Sequence, residues 1–421
     1  MLREPFVSGG RAISCGDGAM GHGLPGIYYR MADPQLGEPH MLLQLAGMRA
    51  AAQTRDLDTS GRDVLPHPAL ARTEPRYALI DLARIVCAVG VISAHVGNSP
   101  LISTISGYSH MRLPFFMLIA MFFMFRRVER DDFAGWKEYA IAKTKQLYLP
   151  FLIWGVIYFV LKNIKNIYVL KTAGIPLRAE MLLNGNAAQL WFLPYLVVAC
   201  TFAYPAACWL KRGHRLLNAG ILMLVGLGVA ACSPPHFSAT GHVPYTIRWT
   251  IVHGWSIVPC VAWGIAAALA YPSMRQKLGR KTLIVGLVLI TATVIPFHFF
   301  GRVPILEALG AVGLMIVAFT PVNNRIVTML GKLGRYSFGV YLCHMVFVNV
   351  IRCVASKYFG QSSSNLFDLT LLLTTAVLSL AASMLLARST RTRWLIAWEP
   401  AAPKRSAEPQ VARQPALAIA A

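Results

Sequence analysis

Arg84 and His95 lie in the first strongly apolar stretch of the chain, Ala78–Val96, with Asp81 one helical turn before the arginine. A neutral imidazole can take a proton from a hydroxyl near pH 7. An arginine stays charged and offers a planar fork of donors to a phosphate, a thioester oxygen or a developing oxyanion. A lone histidine near a helix end is commonly just a satisfied polar residue, but its company on this helix shifts the balance towards chemistry. Eleven helical steps of about 100° leave Arg84 and His95 only about 20° apart around the axis and roughly 16 Å apart along it. An ionisable side chain in a lipid-spanning helix costs roughly 2.5–3.5 kcal/mol or more, so such residues are normally kept for function. The shared face is therefore expected to line a cavity rather than meet lipid. Asp81 reads first as the charge partner of Arg84 at i,i+3, with a catalytic role as the other candidate.

The elements that must hold these groups are apolar spans. Apolar residues make up 56% of the chain and charged residues 14%, with a mean hydropathy of +0.52, whereas a soluble domain carries about 25% charged residues. The fold class expected is all-α: a polytopic membrane bundle of about ten transmembrane helices. The spans are residues 78–96, 113–125, 147–161, 190–210, 216–232, 251–271, 283–300, 303–320, 336–354 and 366–387. The second and third are short and are expected to start in the interface.

The net charge of +22 would suggest nucleic acid in a soluble protein. Here the excess lies in short loops between spans, with no basic face joined to an aromatic platform, so nucleic acid is not an expected partner. With a cytoplasmic N-terminus, more than twice as many Lys and Arg fall on the inner side as on the outer, the sense of the positive-inside rule. Both termini are thus expected in the cytoplasm. Residues 1–70, rich in Gly, Pro and charge, read as a disordered extension. Met20, Met31, Met41 and Met48 are alternative starts within it. Residues 393–421 read as a disordered basic tail. The eight cysteines are scattered without a Cys-x-x-Cys, and neither a disulfide framework nor a metal site is expected.

The run Leu79-Ile80-Asp81-Leu82-Ala83-Arg84, followed by His95, resembles the first helix of the acyltransferase-3 family of integral-membrane O-acyltransferases, which modify bacterial surface glycans, antibiotics and related molecules. Three further stretches agree in order: Leu113–Leu118, Leu190-Trp191-Phe192-Leu193, and Gly334–His344 with its Ser-aromatic-x-x-Tyr-Leu-x-His pattern. The resemblance covers roughly residues 74–390, within a membrane domain bounded at 71–392. There are departures. Ile119-Ala120 stand where many members have Ser-Gly, which would alter close helix approach. Lys143 and Gln146 stand where many members carry two arginines before the proline of the third helix, so a charge-assisted bond to the donor would be lost at Gln146.

The resemblance implies transfer of an acyl group, most commonly acetyl, from acyl-CoA to a hydroxyl of a sugar or lipid-linked glycan in the bacterial inner membrane. Lys143, Lys145 and Arg84 would handle the donor on the cytoplasmic side. His95 would activate the acceptor hydroxyl, and no permanently bound cofactor is implied. Glu307 and Arg302 read equally as an outer-mouth pair for sugar hydroxyls or as an interfacial pair snorkelling to water. Trp191 is either a stacking platform or an interfacial belt residue. His344 is a core residue or an acceptor contact. Gly-x-Ser-x-Gly, a Walker loop and a dinucleotide fingerprint are all absent from the sequence. A proton-coupled transporter or glycan flippase is the alternative reading, but it calls for matched broken helices in two halves, and the charged first span has no counterpart near the sixth.

Overall fold

The computed structural model describes residues 77–396 apart from 98, 170, 188, 233–250, 253, 301–302, 323 and 360–363. The expected extension at 1–70 and most of the tail lie outside these residues. Helices make up the bundle, and the described residues contain no strand.

The first helix, α1, runs Ala78–Val96, the bounds its apolar pattern predicts. It is the hub of the bundle. Around it pack α2 (Pro100–Tyr108), α3 (Arg112–Glu129), α11 (Pro304–Phe319), α12 (Arg325–Gly331), α13 (Ser337–Phe359) and α14 (Asn365–Arg388). The remaining helices are α4 (Trp136–Lys143), α5 (Leu149–Ile164), α6 (Met181–Asn184), α7 (Phe192–Leu210), α8 (Arg215–Ala231), α9 (Val258–Met274) and α10 (Arg280–Phe300). Each of the ten predicted spans falls on one of these helices. Six helices among the described residues are long and apolar enough to cross a membrane, and Arg215–Ala231 and Pro304–Phe319 are shorter apolar helices.

Two packing regions hold α1. On one side Ile80, Cys87 and Val91 join the main core with Met111, Phe115 and Leu118 of the α3 region. On the other, Ala88, Ile92 and Val96 meet Ile102 of α2, Val340 and Val348 of α13, and Leu371 and Leu372 of α14. Val86, opposite Arg84 on the helical wheel, is 60% exposed and marks the one open flank. With Val86 turned away from the core, α1 is oriented as the charge pattern requires.

Three expectations about the elements are corrected. Residues 100–108, read as loop, form α2: Pro100 occupies its first turn, where the missing N–H costs nothing. The third span does not begin at Leu147. It belongs to one continuous helical rod, Trp136–Val169, because a π turn at Thr144–Tyr148 carries the chain past Pro150, whose ring would collide with a regular i−4 carbonyl. The tail begins folded: residues 393–395 form a helical turn, Ile396 is buried, and Trp154 Nε1 donates to Leu395 O at 2.9 Å.

Candidate functional site

The polar residues of the bundle gather at two places along α1. At its start, Arg84 Nη1 lies 3.2 Å from Asp81 Oδ1, with both side chains largely buried. Asp81 is thus the charge partner that i,i+3 spacing predicts. The short helical turn Lys332–Tyr336 presses on this end: a Cβ at Gly334 would stand 2.1 Å from the Asp81 carbonyl oxygen. Only a glycine lets the two backbones approach so closely.

At the other end, the His95 ring lies 5.5 Å from that of His344, centroid to centroid, with 35° between planes. His344 is fully buried, and its Nδ1 sits 2.7 Å from Tyr341 O. Nε2 of each histidine is buried with no hydrogen-bond partner among the described residues. Arg112 and Arg352 are close enough for their charges to reach His95. Arg112 is itself buried, and its Nη1 donates to Ser106 O (2.9 Å), Ser109 O (3.0 Å) and Ser109 Oγ (2.8 Å). It therefore closes the C-terminal end of α2, as a cation should. The other end of α2 is closed from α14, where Asp368 Oδ2 accepts from Ser99 N at 3.2 Å and Asn365 Oδ1 from Leu101 N at 3.1 Å. A Cβ on Gly97, two residues past His95, would fall 2.0 Å from Asp368 Oδ2.

The shared face of Arg84 and His95 is confirmed as interior, but the cavity expected along it is not what the structure shows. Cys87 and Val91, which lie between the two on that face, are packed into the main core. The charged pair and the imidazole pair are two sites on one rod, separated by packed apolar side chains.

The predicted donor lysines are not brought together. Lys143 is 1% exposed. Its Nζ donates to Gln146 Oε1 at 3.0 Å and lies 5.5 Å from the centre of the Tyr139 ring, which stacks on Tyr204 at 4.3 Å. The charge of Arg127 also reaches it. Lys145 is exposed, because two steps of a helix turn it to the far side. Gln146, read as a lost donor contact, is here the acceptor that satisfies Lys143.

Two further expectations change. Trp191 is neither a belt residue nor an open platform: it is 2% exposed, packed against Phe192 and Tyr195. Glu307 is also 2% exposed, one turn into α11, so it does not snorkel to a surface. Its suggested partner Arg302 lies outside the described residues. Arg112 and Asp368 were missed by sequence reasoning. Arg112 was counted only as loop charge. Asp368, an acid in the first turn of an apolar span, carried the signal of an intramembrane charge and was passed over. Among the described residues no group of three His, Cys, Asp or Glu is arranged to hold a metal.

A family model described as an acyltransferase domain, Acyl_transf_3, matches residues 77–388. No curated protein matches the chain. No solved structure matches it.

Proposed function

Because the chain belongs to the acyltransferase-3 family, we propose that it is an inner-membrane O-acyltransferase moving an acetyl group from acetyl-CoA to a hydroxyl of a cell-surface or exported glycan. The observation that carries this reading is the buried Nε2 of His95, which has no partner among the described residues and stands beside a second imidazole in the same condition. A buried polar atom left unmade costs about 1–3 kcal/mol, and a site that tolerates the cost is one that a ligand completes.

In the proposed reaction His95 takes the proton of the acceptor hydroxyl. The oxygen bonds to the thioester carbonyl carbon, the C–S bond breaks, and the thiolate of CoA leaves and recovers the proton from His95. The donor enters from the cytoplasmic side, where Lys143 and Arg84 meet its anionic and polar portion. The two sites on α1 lie roughly 16 Å apart along the axis, so Arg84 does not polarise the carbonyl that His95's hydroxyl attacks. Arg84 holds the donor instead, and the long flexible arm of CoA spans the gap. The Cys87–Val91 stretch must part to admit that arm, so donor binding and opening of the bundle are one event.

The test is transfer from labelled acetyl-CoA to membrane glycan by the wild-type and His95→Ala proteins. Loss of a general base should lower transfer by about 10²–10⁴-fold with the amount of protein in the membrane unchanged. Wild-type transfer by His95→Ala would end the role of His95 as base.

A further inference from the structure

The identity of the acceptor can be narrowed from His344. A backbone carbonyl oxygen only accepts hydrogen bonds, so the 2.7 Å contact with Tyr341 O requires that His344 Nδ1 carry a proton. In the neutral ring the lone pair then lies on Nε2. That nitrogen is buried and has no partner among the described residues, as is Nε2 of His95. The ring centroids are 5.5 Å apart, which sets the two imidazoles side by side. A hydroxyl has a single proton and can give it to one acceptor only. If the attacking hydroxyl gives its proton to His95, the His344 lone pair still lacks a donor. With His95 as the base of the proposed reaction both rings present an acceptor, and two neighbouring acceptors call for two neighbouring donors.

We propose that the acceptor is a vicinal diol, with one hydroxyl facing His95 and its neighbour donating to His344 Nε2. This rests on the acyl-transfer reading above and names the acceptor class within it. During transfer the first O–H bond breaks, its proton passes to His95, the oxygen bonds to the thioester carbon, and the C–S bond breaks as the CoA thiol departs with the proton. The second hydroxyl keeps its proton throughout. Its bond to His344 fixes the rotation of the sugar about the axis through the attacking oxygen, which is a condition for productive alignment. His344 is therefore a binding residue that sets acceptor specificity, with its own tautomer set by Tyr341.

Periodate reads this directly, because it cleaves a vicinal diol and is blocked when either oxygen carries an ester. Membranes containing the full-length protein are given radiolabelled acetyl-CoA, and the labelled glycan is recovered. The sugar that carries the label is identified by mass, and the expected result is that periodate spares the bond between its esterified carbon and the neighbouring one and cleaves that bond once mild alkali has released the labelled acetate. A sugar that still resists after alkali, as when the neighbouring position carries an acylamino group, overturns the proposal. In parallel, His344→Ala should lose about tenfold or more of label incorporation, and His344→Gln, whose amide oxygen can accept, should recover part of it. Transfer by His344→Ala at the wild-type level, or equal loss in both variants, overturns the role of His344. A wild-type protein that moves no label overturns the acyl-transfer reading itself, which separates that failure from the others. The product analysis uses the wild-type chain alone and stands even where a variant does not fold.

Discussion

Two polar clusters of the bundle, one around Lys143 and one around His95, are finished to different degrees. Around Lys143 the charge is answered from within: Gln146 accepts its proton at 3.0 Å and the Tyr139 ring lies under it at 5.5 Å. Around His95 the Arg112 cation is answered, anchored to three oxygens of 106 and 109, while Nε2 of both histidines is left without a partner among the described residues. A closed cluster must break a bond to take a ligand, and an open one gains a bond. Under the proposed function, the difference teaches that the end holding the acceptor is preorganised and the end holding the donor has to rearrange, in keeping with the packed stretch at Cys87 and Val91.

The comparison can be broken at either end. The largest effect is expected from Arg84→Gln, which takes the i,i+3 cation away from the Asp81 carboxylate. Removing one member of a buried pair costs about 3–5 kcal/mol, seen as a lower Tm in detergent. The double variant Asp81→Asn, Arg84→Gln should recover the Tm without recovering transfer. If it recovers both, Arg84 only balances a charge. Next is Gly97→Ala. Its methyl would meet the Asp368 carboxylate, and overpacking of this kind costs about 1–3 kcal/mol. Because the strain falls between His95 and α2, transfer should drop while the KM for acetyl-CoA holds, and unchanged turnover would show that the α2 clamp does not position His95. Lys143→Met keeps the stem and deletes the charge. The loss of one charge-assisted contact predicts a rise of about tenfold or more in the KM for acetyl-CoA with little change in kcat. An effect on kcat alone would move Lys143 out of donor binding. The smallest effect is expected from Lys145→Ala, whose exposed charge should change either parameter by less than about twofold. A Lys145 effect as large as that of Lys143 would dissolve the contrast between the two lysines.

What the sequence showed and what it hid follow from the range of the forces involved. The bounds of α1, the Arg84–Asp81 pair and the common face of Arg84 and His95 are local consequences of helical periodicity, and they appear in the fold as read. The meeting of His95 with His344 joins two helices far apart in the chain, and no single sequence carries that contact. The burial of Lys143 is hidden for a related reason. Besides Tyr139 on its own helix, the lysine is surrounded by Cys200 of α7 and Arg127 of α3, which a count of loop charge ignores. Trp191 looked interfacial because it stands at the start of a span, yet span ends here are covered by neighbouring segments. The helix α2 carried a start signal in Ser99-Pro100, and the polar run after it hid the rest.

The π turn at Thr144–Tyr148 sets a reading frame for the rod that contains it. It holds one residue more than a regular helix needs, so deleting a single residue there would let the segment relax into ordinary α geometry. The helix on either side would stay in phase, because the wide turn absorbs one residue without rotating its flanks, and the Lys143 ammonium would stay inside; a residue removed from the regular helix after Pro150 would instead swing everything upstream by about 100° and draw it in by about 1.5 Å. Where along the rod a residue is lost, more than which kind it is, decides whether Lys143 keeps its place in the interior.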